Sequence, residues 1–250
     1  MNPCAIITGA GSGIGAATAE KFLAQGYQVI LLGRRPEPLK AIEKNFPTQA
    51  LAIPCDISSE IDLKNLFSSL KNLKDQSFSQ IEFLINNAGI YEQKSFLDSH
   101  HEDFLKIFEV NFFASVNLTR LILPFLIQNK KGAVINISST LGERPVAKTS
   151  AYSASKAAMI NLTKSLALEM APYQIRVNCI CPGLVDTPIH SFYEQKDELQ
   201  KETKAQMQSF QPLGRIGRPE EIAHHIFQLC APGSEWTTGS VLDVDGGIHL

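Results

Sequence analysis

Three things are scarce in these 250 residues: paired cysteine spacings, long uncharged apolar runs, and an excess of charge of either sign. Each scarcity removes a class of protein. The five cysteines (Cys4, Cys55, Cys179, Cys181, Cys230) are odd in number and contain no C-x-x-C pair, which is not the framework of a disulfide-stapled secreted domain; reduced thiols in a cytoplasmic protein are expected. Cys179-x-Cys181 lacks a second ligand pair at a usual spacing, so no metal centre is expected. Lysine and arginine total 23 against 25 aspartate and glutamate, a net charge of −2, and nothing electrostatic recruits nucleic acid or an anionic membrane. The longest apolar stretch, Leu118 to Ile127, is broken by Thr119, Arg120 and Pro124 and is too short to span a bilayer. Met1-Asn2-Pro3 leads straight into Cys4-Ala5-Ile6-Ile7 with no basic segment ahead of it, so no secretory signal is expected.

What is present is an ordinary globular composition, 44% hydrophobic and 19% charged, with no repeat or Pro/Ser-rich linker to divide it. One domain over residues 1–250 follows. Short β-branched runs alternate with helix-length amphipathic segments, the pattern of β-α-β units. It predicts strands at Cys4–Thr8, Gln28–Leu32, Ala50–Pro54, Ile81–Asn86, Ala133–Ser138, Arg176–Ile180 and Ser240–Val244. Helices fit at Gly13–Gln25, Pro38–Asn45, Ser59–Lys71, His101–Gln128, Ser150–Ala171 and Pro219–Cys230. The expected fold is α/β: a single-domain, Rossmann-type doubly wound sheet of seven mainly parallel strands with helices on both faces. Lys71–Gln80 reads as a polar surface loop, and the polar segment Ile189–Gln211 after Pro188 as a helical excursion and substrate lid.

After the first strand, Gly9-Ala10-Gly11-Ser12-Gly13-Ile14-Gly15 turns the chain into a helix. Glycines let the backbone approach a pyrophosphate without a Cβ in the way, and a helix N-terminus offers free N–H groups and partial positive charge. A G-x-G-x-x-A match at Gly11, Gly13 and Ala16 in strand–loop–helix context points to a dinucleotide, with a ligand-free glycine turn as the bland alternative. The end of the second strand normally meets the adenosine ribose, through an acid for NAD or a basic group for the NADP 2′-phosphate. Here Gly33-Arg34-Arg35 follows Leu32, and no acid precedes Glu37. NADP(H) is therefore predicted, with Arg34 as the leading clamp, Arg35 as helper and NAD(H) as the alternative cofactor; merely solvated arginines are the competing reading.

Further motifs occur in order: Asn86-Asn87-Ala88-Gly89, Tyr152-Ser153-Ala154-Ser155-Lys156, Pro182-Gly183 through Val185 to Thr187, and Pro219-Glu220-Glu221 followed by Thr238-Gly239 and Asp245-Gly246-Gly247. With Thr8-Gly9-Ala10-Gly11-Ser12-Gly13-Ile14-Gly15 they span nearly the whole chain. The sequence thereby resembles the short-chain dehydrogenase/reductase family. The resemblance implies a catalytic tetrad of Asn111, Ser139, Tyr152 and Lys156, with Ser138 as the competing hydroxyl. It also implies cofactor contacts from the Thr8–Gly15 loop, from Asp56 and Ile57 after the third strand, from Asn87, Ala88 and Gly89, and from Pro182, Gly183, Val185 and Thr187. Asp56 has an N-cap or turn role as its alternative. In the family the main chain at Asn111 helps hold a water against the lysine.

The chemistry follows independently. Hydride transfer to a ketone leaves an alkoxide that needs a proton, which a tyrosine supplies readily if its pKa falls from about 10 toward neutrality. Lys156 lies one helical turn beyond Tyr152 on the same face; its cation favours the phenolate, and an oxidised nicotinamide adds more positive charge nearby; a fall of about three units needs roughly 4 kcal/mol. Ser139 would donate a hydrogen bond to the substrate oxygen. None of the histidines is assigned to catalysis or metal. The expected function is NADP(H)-dependent carbonyl reduction or alcohol oxidation on a small molecule, a ketone or a 3-oxoacyl thioester. Alternatives are an NAD-dependent alcohol or hydroxysteroid dehydrogenase and a non-catalytic dinucleotide-binding regulator, though a regulator would be expected to lose Tyr152 or Lys156. An acyl-carrier-bound substrate would want a basic docking patch near the entrance, for which Lys130, Lys131 and Arg176 are candidates. The residues that select the substrate fall in Ile90–Lys94, Leu141–Lys148 and the Ile189–Gln211 segment. The resemblance further implies a homotetramer built on the helix Ser150–Ala171, whose small residues permit close approach, and on the long helix before it, with Gly246–Leu250 at a second interface.

Overall fold

Apolar residues on both sides of a strand need covering on both sides, and the seven short runs satisfy this by lying side by side in one sheet. They form β1 (Cys4–Thr8), β2 (Gln28–Gly33), β3 (Ala50–Pro54), β4 (Ile81–Asn86), β5 (Gly132–Ile137), β6 (Ile175–Pro182) and β7 (Val241–Val244) in a computed structural model that describes residues 2–73, 78, 80–190, 197–248 and 250. The order is β3-β2-β1-β4-β5-β6-β7. Every pairing is parallel, so the expectation of a mainly parallel sheet sharpens to a wholly parallel one. Alternate residues of one strand serve opposite cores. Ala5 and Ile7 join Phe22, Val29 and Ile226 on one face, while Cys4 and Ile6 join Ile30, Leu118 and Ile122 on the other.

The helices are α1 (Gly13–Ala24), α2 (Pro36–Asn45), α3 (Glu60–Asn72), α4 (His101–Phe108), α5 (Ala114–Asn129), α6 (Ser150–Met170), α7 (Asp197–Ser209) and α8 (Pro219–Cys230). Local chemistry sets their starts: Pro36 is the first residue of α2, and the Ser59 side chain caps α3 by accepting from the Asp62 N–H at 3.2 Å. The single helix expected over His101–Gln128 is divided by a π-helical turn at Glu109–Phe113. The whole run His101–Asn129 is long and apolar enough to cross a bilayer, with a mean hydropathy of 1.6 in its best window; the Leu118–Ile127 stretch alone hid this. Its Ala114, Leu118, Ile122 and Leu126 are buried in the core. Of the expected lid, α7 is helical as read, while 191–196 lie outside the described residues, as do 74–77 and 79 of the Lys71–Gln80 loop.

β1 pairs with β2 on one side and β4 on the other, so the chain crosses from one half of the sheet to the other at β1. Parallel α/β sheets bind ligands outside the carboxyl ends of the strands at such a switch point. That edge carries the glycine loop after β1, Arg34 after β2, Asp56 after β3 and Asn87 after β4.

Among the described residues three non-glycines adopt left-handed backbone, one of them Lys130 (φ 49°), which ends α5 with its side chain exposed. Lys130→Gly should relieve the Cβ strain there and, net of the extra freedom glycine gives the unfolded chain, stabilise the fold by about 0.5 kcal/mol. Urea unfolding measures this; an unchanged or lower midpoint would contradict the account.

Candidate active site

The glycine loop is shaped by contacts that a side chain would destroy. A Cβ on Gly15 would sit 2.2 Å from the Gly9 carbonyl oxygen, and one on Gly9 would sit 2.8 Å from Asn87 Nδ2. Gly13 has φ +54° and faces Thr187, whose Cγ2 would lie 3.0 Å from an added Cβ. Ser12 is the N-cap of α1 but makes no side-chain cap bond, and no acid occupies the first turn. Only Ala16 N–H reaches back, to the Ser12 carbonyl at 3.2 Å, so the N–H groups of Gly13, Ile14 and Gly15 have no intrahelical acceptor. A backbone cradle at a helix N-terminus, with Thr187 over it, fits a dinucleotide pyrophosphate. Gly11 packs on Pro38, where its Cβ would lie 3.1 Å from that ring.

Thr8 has a different role from the expected cofactor contact. Fully buried, its hydroxyl donates to the Ile85 carbonyl at 3.3 Å and accepts from the Asn87 and Ala88 N–H groups, both at 2.9 Å. Asn87 Nδ2 returns a bond to the Thr8 carbonyl at 2.9 Å. Thr8 thus fastens the Asn87–Gly89 loop to β1 instead of facing a ligand. Pro182 and Gly183 meet the C-terminal segment, Gly183 N–H donating to the Val244 carbonyl at 3.1 Å. Val185 is buried and bridges to Gly217. Ile57 points its side chain into the core, leaving only its backbone for a ligand.

At the ribose corner Arg34 and Arg35 are exposed, with Arg35 the N-cap of α2. Asp56 accepts from the Ser58 N–H at 3.0 Å and hydroxyl at 2.6 Å, the turn role that was its alternative. Its carboxyl is held below the ordinary range by the Ser58 hydroxyl first and by the nearby Arg34 guanidinium as a lesser cause.

The tetrad converges where β4, β5 and β6 end. Ser138 and Ser139 separate cleanly: Ser138 Oγ donates to the Lys156 carbonyl at 2.8 Å, pinning α6, whereas Ser139 is hydrogen-bonded to Tyr152 and accepts from the Leu141 N–H at 3.1 Å. Lys156 Nζ is 5.7 Å from the Tyr152 ring centroid and donates to the Ile137 carbonyl at 2.9 Å. Asn111, expected mid-helix, lies in the π turn. Its Oδ1 accepts from the Ile90 N–H at 2.8 Å, and its Nδ2 donates to the Ile90 carbonyl at 3.0 Å and to Ser155 Oγ at 3.3 Å. Ser155 Oγ in turn donates to the Tyr152 carbonyl at 2.7 Å.

Burial opposes the Lys156 share of the electrostatic expectation. Tyr152 and Lys156 are only 8% and 4% exposed. Desolvation pushes the Tyr152 phenol up to about 12, against a smaller downward pull from the Ser139 hydrogen bond, and pushes Lys156 down to about 8. The protein alone therefore does not bring the phenol toward neutrality.

Two site residues escaped the sequence reading. The Tyr91 ring stands edge-on to Tyr152, centroids 4.8 Å apart and planes at 89°, and His190 lies beyond it at 6.2 Å, its Nε2–H donating to the Val185 carbonyl at 2.9 Å. The loop carrying Tyr91 was flagged as substrate-selecting, but the ring contact is tertiary. The proposed carrier patch does not form at this site. Lys130 and Lys131 precede β5 and Arg176 is the second residue of β6, at the opposite edge of the sheet. Lys131 pairs with Glu82 at 3.1 Å, and Arg176 is spent on the carbonyls of Leu229, Thr237 and Cys230.

Holding Lys156 inside costs stability, with a definite pH dependence. Its folded pKa, about 8, lies below the ordinary lysine value, so the penalty is full below pH 8 and is relieved as pH rises toward about 10.4, where the unfolded chain also loses the proton. Lys156→Met should therefore resist urea better than the parent at pH 7, the gap closing toward pH 10, while turnover is lost. A variant less stable at pH 7 would refute this.

A family model described as "Enoyl-(Acyl carrier protein) reductase" matches residues 9–249. The chain is 33% identical over 248 residues to a 3-oxoacyl-(acyl-carrier-protein) reductase of Thermotoga maritima, covering 98% of this chain and 97% of that one. Among solved structures it is similar to the 3-ketoacyl-(acyl-carrier-protein) reductase of Brucella melitensis complexed with NADH (TM-score 0.87, 29% identity, 100% and 98% of the two chains). It is also similar to the L-sorbose reductase of Gluconobacter frateurii complexed with NADPH and L-sorbose (TM-score 0.89, 28% identity, 99% and 96%). With the glycine cradle, the Ser139–Tyr152–Lys156 cluster and these likenesses agreeing over the full sheet, the chain belongs to the short-chain dehydrogenase/reductase family of oxidoreductases.

Proposed function

We propose that this chain is an NADP(H)-dependent carbonyl reductase acting on a ketone or a 3-oxoacyl thioester. The observation that carries the cofactor preference is the corner after β2: Arg34 and Arg35 stand exposed there, and no acid precedes Glu37 to hold a free 2′-hydroxyl. The relatives point both ways, one solved with NADH and one with NADPH, so the argument rests on these arginines.

Bound NADPH would supply the hydride and, once oxidised, a positive charge. The residues of the chain do the rest. Ser139 offers its hydroxyl to the substrate oxygen beside Tyr152, whose buried neutral phenol donates the proton that the developing alkoxide requires. Lys156, fixed to the Ile137 carbonyl, places a cation beneath the ring that favours the phenolate left behind. Thr8, Asn87 and Asn111 hold the loops at working distance. The glycine cradle and the Val185–Thr187 segment grip the cofactor.

We further propose a cytoplasmic homotetramer with one catalytic domain per chain. Ala154 and Ala157 are exposed on α6, together with Leu168 on the same helix and Leu105 and Phe113 on the long helix before it. Apolar side chains and small residues on adjoining helices suit a second copy. The exposed Ile248 and Leu250 suit the second interface. Among the alternatives for substrate delivery, an acyl carrier would need to dock somewhere other than a patch of Lys130, Lys131 and Arg176 on the same protomer.

Titration of cofactor fluorescence should find NADPH bound at least about tenfold more tightly than NADH, roughly 1.4 kcal/mol, with Arg34→Ala erasing that margin. Equal or reversed affinities in the parent would move an NAD-linked dehydrogenase to first place.

A further inference from the structure

A catalytic phenol must be aimed as well as ionisable, because misplacement of the donor by a fraction of an ångström slows proton transfer steeply. A tyrosine ring hangs from rotatable bonds, and the Ser139 hydrogen bond restrains only its tip. Lys156 approaches one side of the ring, 5.7 Å from its centroid. Tyr91 stands against it in a T-shaped contact at 4.8 Å, the arrangement aromatic pairs prefer.

Tyr91 is itself held from two directions. Its neighbour Ile90 is clamped through both its N–H and its carbonyl by the Asn111 amide, at 2.8 and 3.0 Å. That amide also reaches Ser155, which bonds the Tyr152 carbonyl. One asparagine therefore sets both the Tyr91 loop and the Tyr152 backbone, and the two rings close the circuit. On its far side Tyr91 meets His190 at 6.2 Å, and His190 is tied to the Val185 carbonyl in the segment that bridges to Gly217. Tyr91 thus spans the gap between the proton donor and the strand-end segment assigned to the cofactor.

We propose that Tyr91 is a positioning residue for Tyr152, fixing the catalytic ring by edge-on contact. This rests on the reading of Tyr152 as proton donor. The ring, and not the hydroxyl, carries the effect, so Tyr91→Leu and Tyr91→Phe separate the two. With saturating NADPH and a ketone that the parent reduces, Tyr91→Leu should lower kcat by about tenfold or more, roughly 1.4 kcal/mol of barrier. KM and NADPH affinity should stay within about twofold of the parent. Tyr91→Phe should restore kcat to within about twofold. A loss confined to KM, or a Phe variant as slow as the Leu variant, would overturn the proposal.

A substrate-independent arm uses NMR of isotope-labelled tyrosine ring carbons, with the Tyr152 signal identified by its disappearance in Tyr152→Phe. Ser139, Lys156 and Cys181, the other polar groups bearing on Tyr152, are retained in both Tyr91 variants. Opening the site in Tyr91→Leu should admit water and move the Tyr152 titration to lower pH, and further than Tyr91→Phe, which keeps the ring over the phenol and loses only the small upward push of the Tyr91 hydroxyl; no movement in Tyr91→Leu beyond that of Tyr91→Phe would overturn the proposal. If the parent reduces no carbonyl, the functional reading fails, and the NMR arm still decides for or against Tyr91.

Discussion

The rest of this active site is arranged around one costly act: enclosing the Lys156 ammonium at the end of a parallel sheet. A cation at 4% exposure must be compensated locally, and the compensation explains several otherwise unrelated features. The Ile137 carbonyl, at the end of β5, accepts from Nζ. Gly89 packs close to the pair, where an added Cβ would lie 3.2 Å from Asn111 Oδ1, a tight contact, and 3.5 Å from Nζ. Gly142 likewise lets the turn after Ser139 approach α6, where a Cβ would meet the Lys156 carbonyl carbon at 2.9 Å. Ser138 spends its hydroxyl on the Lys156 carbonyl. The helix is drawn onto the strand ends, and Tyr152 is delivered with it.

A second set of buried polar groups keeps the strand ends in register beneath that cluster. Asn86 on β4 donates to Asn136 Oδ1 on β5 at 2.8 Å and to Thr119 on α5 at 2.9 Å. Asn136 donates onward to Thr163 on α6 at 2.9 Å, and Thr163 to the Met159 carbonyl at 2.9 Å. Apolar residues would fill the same volume without desolvating amides, and Asn86 Oδ1 is in fact left without a partner. What the ladder adds is direction: amides have few satisfactory neighbours, so β4, β5, α5 and α6 are locked into one alignment. The tetrad draws on α6 for Tyr152 and Lys156, on the turn that leaves β5 for Ser139, and on the π turn that enters α5 for Asn111.

How much of this could be read beforehand depended on whether the determining contact was local. The central strands were legible because two-sided burial writes a continuous apolar run into β1, β2 and β4, and the cradle because glycine, N-cap and helix sit side by side in sequence. Lys156 and Tyr152 were legible as a one-turn pair. The π turn at Glu109–Phe113 was not, since one widened turn hardly alters an apolar pattern, and Asn111 therefore looked like a mid-helix polar residue. Thr8, a cofactor contact by the family resemblance of the Thr8–Gly15 loop, shows its role only in the fold, because its bonds run to Ile85, Asn87 and Ala88, some 80 residues away. The edge-on contacts of Tyr91 with Tyr152 and with His190 depend on two loops meeting α6. The Lys130–Lys131–Arg176 patch could have been rejected from the sequence, because residues that precede or begin parallel strands cannot reach the edge where the strands end.

The sign of the Tyr152 shift is set by its burial and not by its cation. Reasoning from the Tyr–Lys pair alone predicts a phenol brought toward neutrality by its cation; in the folded chain, desolvation dominates, leaving Tyr152 up at about 12 and Lys156 down at about 8. At neutral pH both therefore hold their protons in the main, and the resting site presents a proton donor backed by a cation. Reduction of a carbonyl consumes just that arrangement, since the alkoxide takes the phenol proton while Lys156 and Ser139 stabilise the charge left on the oxygen. Alcohol oxidation needs the phenol deprotonated first, against the full cost of its burial, and must find the compensating charge outside the protein. Burial of the pair, which is costly to stability, thus raises the phenol and lowers the ammonium together, and any charge that brings the phenol down must come from outside the protein.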